Sequence, residues 1–225
     1  MKRSANAFDS VLFDLDGTLI DTAPDMGGAL NALRAEHDLP PLDAASIRPH
    51  VSHGGLALVK LGFGADRDPA LLESLRLRFL ELYRDAIAVG SRPFDEMHAL
   101  LAEIEARGLH WGVVTNKPGW LTDPLLAALD LAGRAACVVS GDTTANKKPH
   151  PEPLLYACRL IDRDAANCLY VGDALRDIQA GRAAGMTTVV ANYGYIGPGE
   201  NPAEWGAHGA IDAPLQLLDW LQRDA

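Results

Sequence analysis

Five short apolar runs, each closed by a small or polar residue, constrain this chain more than any other feature. They are residues 11–13 before Asp14, HWGVVTN ending near Thr115, ACVVSG ending at Ser140, CLYVGD ending at Asp173, and TTVVANYG. Such unbroken runs suit strands buried on both faces, as in a parallel sheet. Helical patterns separate them. Met97, Leu100, Leu101 and Ile104 fall at i, i+3, i+4 and i+7, with Asp95 ahead as the predicted N-cap and Gly108 behind as the stop. DPLLAALDLAG, PEPLLYACRLI and ALRDIQAGRAAG supply further crossovers. The alternation predicts an α/β fold, a doubly wound parallel sheet. The first two runs lie too far apart for one crossover. Residues 24–90 carry helical patterns instead, LLESLRLRFLELYRDAI the clearest, and no strong strand signal. They are expected to form an inserted helical cap, leaving 1–23 and 91–225 as the core, with hinges at DTAPD and VGSRPFD.

Bulk properties exclude several classes. Of 225 residues, 48% are hydrophobic, so a large core can be buried and disorder is not expected. Twenty basic against thirty acidic residues give a net charge of −10, which argues against non-specific nucleic-acid binding and against an anionic membrane surface. No apolar stretch is long enough to span a bilayer, and the basic start MKRSANAF has no apolar segment behind it to make a secretion signal. A cytoplasmic monomer or homodimer is the expectation. Cys137, Cys158 and Cys168 are odd in number and form no CxxC, so buried reduced thiols are expected rather than a disulfide framework or zinc site.

In open α/β sheets, ligands bind beyond the carboxyl ends of the strands. Here those ends carry Asp14 and Asp16, then Thr115 and Asn116, then Asp173 with Asp177 four residues on, while ANKKPHPEP brings Lys147 and Lys148 to the start of a helix. Any one of these acids alone reads as an ordinary turn or cap residue. Together, Asp14, Asp16 and Asp173 would be costly as bare anions at a dry site. A hard divalent cation offsets that cost, and carboxylate oxygens suit Mg²⁺. A lysine and a threonine hydroxyl nearby would cradle an oxyanion.

DLDGTLIDT, VVTNK, KKPHPEP and VGDALRD resemble, in order, the four signature motifs of the haloacid dehalogenase superfamily of phosphatases, over nearly the whole chain. The resemblance implies a Rossmann-like core with a helical cap inserted after the first motif. It implies Asp14 as the nucleophile that forms an aspartyl-phosphate, and Asp16 as acid and then base. Mg²⁺ would be held by Asp14, the backbone carbonyl of Asp16, and Asp173. Thr115, Asn116 and Lys148 would bind the phosphoryl oxygens, with Asp177 orienting Lys148 or a metal-bound water. Position 174 is alanine where relatives often carry a hydroxyl or an acid. TNKP and KKPHPEPL resemble the phosphoglycolate phosphatase branch, and NYGYIGPGENPAEWGA and SRPFDEMHALLAEIE resemble the N-acetylmuramic acid 6-phosphate phosphatases. The partner would be a small-molecule phosphomonoester.

Within the cap, RPHVSHGG is the most unusual stretch. Arg48, Ser52 and His53 are the candidates for contact with a polar leaving group, against an ordinary helix-joining loop. Of three other activities, two fit the motifs less well and one, the mutase, is separated only by turnover. A carbon–halogen hydrolase needs no acid at position 16. A phosphosugar mutase shares nearly all the motifs and differs by excluding water. A non-catalytic phosphometabolite sensor would not need the full set of nucleophile, acid, lysine and metal ligands.

Overall fold

A computed structural model describes residues 8–221. The basic start read as lacking a secretion signal lies, except for Phe8, outside the described residues. Six parallel strands form the central sheet: β1 (Ser10–Phe13), β4 (His110–Val114), β5 (Cys137–Val139), β6 (Cys168–Gly172), β7 (Thr187–Ala191) and β8 (Gly209–Ile211), in the order β5-β4-β1-β6-β7-β8. The expected doubly wound sheet is therefore present. Val11, Leu12 and Phe13 are fully buried because β1 has neighbours on both sides and helices on both faces. Val11, Phe13, Leu100, Trp111 and Val171 pack on one face; Leu12, Val114, Leu154, Tyr170 and Ala180 pack on the other. The three cysteines are buried and free.

The helices α5 (Met97–Ala106), α6 (Gly119–Ala128), α7 (Glu152–Ile161), α8 (Leu175–Ala183) and α9 (Leu217–Leu221) complete this body. Gly108 stops α5 at φ +73°, with Leu109 N–H donating to the Ile104 carbonyl. The expected N-cap is corrected: Glu96, in the left-handed region, occupies that position, and no side chain caps the helix.

Between the first two sheet strands stand α1 (Ala23–Ala35), α2 (Ala44–Ile47), α3 (Gly54–Phe63) and α4 (Pro69–Asp85), with no strand among them. Leu72, Leu75, Phe79 and Tyr83 make one face of α4 and bury it against Met26, Leu30, Leu33, Leu58 and Val59, a cluster that also takes in Leu121 and Tyr195. A two-stranded ribbon, β2 (Ile20–Asp21) paired with β3 (Arg92–Pro93), closes the base of this segment. Asp25 reinforces it, its carboxylate accepting from the N–H groups of Gly90 at 2.6 Å and Ser91 at 2.8 Å.

Candidate active site

The carboxyl ends of β1 and β4 open into one cavity of about 620 Å³, roofed by α3 and α4 and reached by Arg176 from α8. Asp14 follows β1, Thr115 follows β4 and Asp173 follows β6, so parallel register alone brings them to one rim. Asp14 Oδ1 accepts from Leu15 N–H at 2.7 Å and lies 2.8 Å from Lys148 Nζ. Lys148, with its side chain fully buried, donates to the Val114 carbonyl and to Tyr170 Oη, each at 2.8 Å, and lies 2.8 Å from Asp177 Oδ1 as well. Of the two expected roles for Asp177, orienting Lys148 is the one this contact supports. The other Asp177 oxygen accepts from Ala174 N–H at 3.1 Å, so alanine at position 174 still lets the backbone turn into α8. Asn116 grips the lysine loop at both polar groups, donating to the Lys148 carbonyl and accepting from its N–H, each at 3.0 Å.

Asp173 accepts from Tyr195 N–H at 2.8 Å, Ser52 Oγ at 2.7 Å and Thr18 Oγ1 at 3.4 Å. Burial, then Asp14 and Asp177, push its pKa up to about 7. Burial and Asp14 also raise Asp177, against the lowering effect of Lys148. Ligand atoms of Asp14, Asp173 and Asp177 lie within 4.8 Å of one another, all buried. Lys148 and Arg176 against three buried carboxylates leave negative charge, and among the described residues no lysine or arginine is in ion-pair contact with Asp173. The donor set therefore fits a hard divalent cation. Asp16 departs from the expected trio of carboxylates. Its side chain turns Oδ1 to Lys117 Nζ at 2.7 Å and Thr22 Oγ1 at 2.6 Å, and it is not one of the three clustered carboxylates.

Two glycines let the chain approach Asp173. A Cβ on Gly17, at φ +86°, would collide with the Asp173 carboxylate, and one on Gly194 would collide with Asp173 Cβ and the Gly17 carbonyl. Gly194 and Tyr195 belong to the stretch after β7, which sequence reading left without a role.

The cap candidates separate. Ser52 and His53 line the cavity. Burial, then Arg176, hold His53 below the usual histidine value, which disfavours a cationic role. Arg48 does not line the cavity; it pairs with Asp21 at 2.8 Å and lies 4.7 Å from the centre of the Tyr195 ring. Two basic residues escaped sequence reading. Lys117 is buried beside Asp16 and Tyr83, and although burial pulls its ammonium down, Asp16 and Tyr83 outweigh that and hold it above the usual lysine value. Arg176 lines the cavity and donates to the Ser52 carbonyl at 2.6 Å. Burial lowers it, but Asp177, Asp14 and Asp173 together keep it above the usual arginine value. A lysine three residues past a strand, or an arginine in the first turn of a helix, carries no sequence signal without the fold.

The profile of the haloacid dehalogenase-like hydrolases matches residues 11–191. Over 214 residues, 95% of each chain, the sequence is 48% identical to an N-acetylmuramic acid 6-phosphate phosphatase of Pseudomonas aeruginosa. It is 42% identical over 215 residues to a phosphoglycolate phosphatase of Xylella fastidiosa, covering 95% of this chain and 93% of that one. Among solved structures, a predicted phosphoglycolate phosphatase from Haemophilus somnus superposes with a TM-score of 0.85 at 25% identity, over 97% of this chain and 100% of that one.

Proposed function

This chain belongs to the haloacid dehalogenase-like hydrolases and is a phosphatase, and from that premise we propose that it hydrolyses a phosphomonoester through an aspartyl-phosphate on Asp14, with residues 24–90 as a cap over the site. The observation that carries this reading is the buried cluster in which Lys148 bridges Asp14 and Asp177 beside Asp173. Leu15 N–H and Lys148 both engage Oδ1 of Asp14, leaving Oδ2 as the attacking oxygen. That oxygen bonds to phosphorus as the ester P–O bond breaks, and Asp16 gives its proton to the departing alkoxide. Asp16 then takes a proton from water, the water oxygen bonds to phosphorus, and the bond to Asp14 breaks to release phosphate. Thr115 and Lys148 hold the phosphoryl oxygens, and Asn116 keeps the lysine loop in place. Mg²⁺ bound by Asp14, Asp173 and the carbonyl of Asp16 would shield the nucleophile from the phosphate's charge and stabilise charge in transfer.

The cavity favours a bulky leaving group. Trp120, Leu56 and Leu77 are 47%, 41% and 52% exposed, and all three line it. A two-carbon glycolate would leave them bare, whereas a sugar ring and the methyl groups of its acetamido and lactyl substituents would cover them. N-acetylmuramic acid 6-phosphate is therefore the preferred substrate over phosphoglycolate. Phosphate release from both, with EDTA and then with excess Mg²⁺, tests this. The expected outcome is a higher kcat/KM for the sugar phosphate and no turnover in EDTA. Preference for phosphoglycolate would overturn the substrate, and full activity after exhaustive chelation would overturn the metal.

A further inference from the structure

Asp16 has two carboxylate oxygens, and the described donors fall on one of them. Thr22 Oγ1 donates to Oδ1 at 2.6 Å and Lys117 Nζ at 2.7 Å. Lys117 is itself fixed at three points. Its N–H donates to Thr115 Oγ1 at 3.1 Å, and its carbonyl accepts from Gly141 N–H at 2.7 Å and Thr122 Oγ1 at 3.3 Å. Its ammonium lies 4.7 Å from the centre of the Tyr83 ring, and its side chain is 4% exposed. Tyr83 comes from α4, in the inserted segment, and its own hydroxyl is buried without a hydrogen-bond partner. The ring packs against the ammonium, and the hydroxyl also helps to hold the lysine charged.

We propose that Lys117, seated on the Tyr83 ring, is the positioning residue for proton transfer: with Thr22 it locks Oδ1 of Asp16 as the acceptor and so assigns the travelling proton to Oδ2. A carboxyl group held this way can neither rotate nor present the wrong oxygen to the leaving group. The contact also links the acid to the inserted segment, because moving α4 removes the surface on which the ammonium rests. The inference rests on the hydrolase reading above, in which Asp16 protonates the leaving alkoxide.

Leaving-group dependence reads this role directly. An aryl oxide such as p-nitrophenolate departs without a proton, and an alkoxide does not. Kinetics on p-nitrophenyl phosphate and on benzyl phosphate, esters of similar size, are measured for the wild type and Lys117→Met. The expected result is a fall in kcat/KM of about a hundredfold on benzyl phosphate and less than about fivefold on p-nitrophenyl phosphate, within the range of a lost general acid. Inhibition by inorganic phosphate stays nearly unchanged. Tyr83→Leu, measured in parallel, gives the same selective loss at smaller size, and Tyr83→Phe retains more of the benzyl phosphate rate than Tyr83→Leu does. These two variants carry the test if Lys117→Met does not fold. Equal losses on both esters, or weaker phosphate inhibition in step with the lost rate, would make Lys117 a phosphate ligand and overturn the assignment. A wild type inactive on both esters would instead overturn the hydrolase reading.

Discussion

Lys148 carries the electrostatics of the site at the scale of single residues. Its ammonium touches Asp14 and Asp177, while Asp173 accepts hydrogen bonds from neutral donors on Tyr195, Ser52 and Thr18. Asp14 is thus the nucleophile of the proposed reaction and also a source of the repulsion that raises Asp173. Asp14→Asn should separate these roles. The amide keeps the shape but attacks phosphorus poorly, so turnover should fall by at least about a thousandfold, the scale on which losing a reacting group is felt. Removing one of three crowded anions should leave the melting temperature of the metal-free protein unchanged or higher, since Lys148 keeps Asp177 as partner. Steady-state kinetics and thermal melts on the same variant check both halves. Substantial remaining turnover would mean another residue attacks phosphorus, and a large drop in melting temperature would mean Asp14 supports the fold.

At the scale of elements, the inserted segment is tied to the core by a few polar contacts. Arg48, in the 3-10 turn Arg48–His53, pairs with Asp21 of β2, and Tyr195 donates to the same carboxylate at 2.6 Å. Trp120, on α6, faces the cavity from the core side. Their truncations should therefore differ in kind. Arg48→Ala should lower kcat/KM for N-acetylmuramic acid 6-phosphate and for phosphoglycolate by the same factor, because it loosens the strap and not a substrate contact. Trp120→Ala should lower the sugar phosphate about tenfold, a typical value for one lost apolar contact, and spare phosphoglycolate. The reverse pattern would return Arg48 to the substrate site, as its sequence context implied. The same division explains what was legible beforehand. β1, β4 and β6 declared themselves because strands buried on both faces need unbroken apolar runs. β8 has three residues with Ala210 exposed, and β2 and β3 have two each, too few to show a period. Asp14, Thr115 and Asp173 were readable because they follow strand ends, and Asp16, Lys148 and Asp177 because the motifs that carry them resemble those of a known family. Lys117, Arg176 and Tyr195 were not, because each reaches the site from a position whose direction only the packed fold sets.

Across the whole molecule, a net charge of −10 and a buried acidic cluster should make stability a function of pH and, with the proposed cation bound, of metal. Asp173 stands at about 7 in the folded protein against 3.8 for an ordinary aspartate, raised first by burial and then by Asp14 and Asp177. An acid whose folded-state pKa is raised favours the fold only while protonated. Its contribution is complete below about 3.8 and is lost as pH climbs through about 7. The proposed divalent cation at Asp14 and Asp173 would compete with that proton, so the same pH rise that weakens the metal-free protein should strengthen its metal affinity. Mg²⁺ should accordingly raise the melting temperature little at pH 5 and strongly at pH 8. At a hundredfold excess over Kd the gain is about 2.7 kcal/mol, or roughly 5–10 °C for a chain of this size. Thermal melts at both pH values, with EDTA and with Mg²⁺, measure the difference between the two shifts. Asp173→Asn should remove most of that difference, since the amide neither titrates across this range nor binds the metal as a carboxylate does. Equal shifts at pH 5 and pH 8 in the unmodified protein would mean the cation binds away from Asp173, and the cluster beneath the cavity would then be held by protons and Lys148 alone.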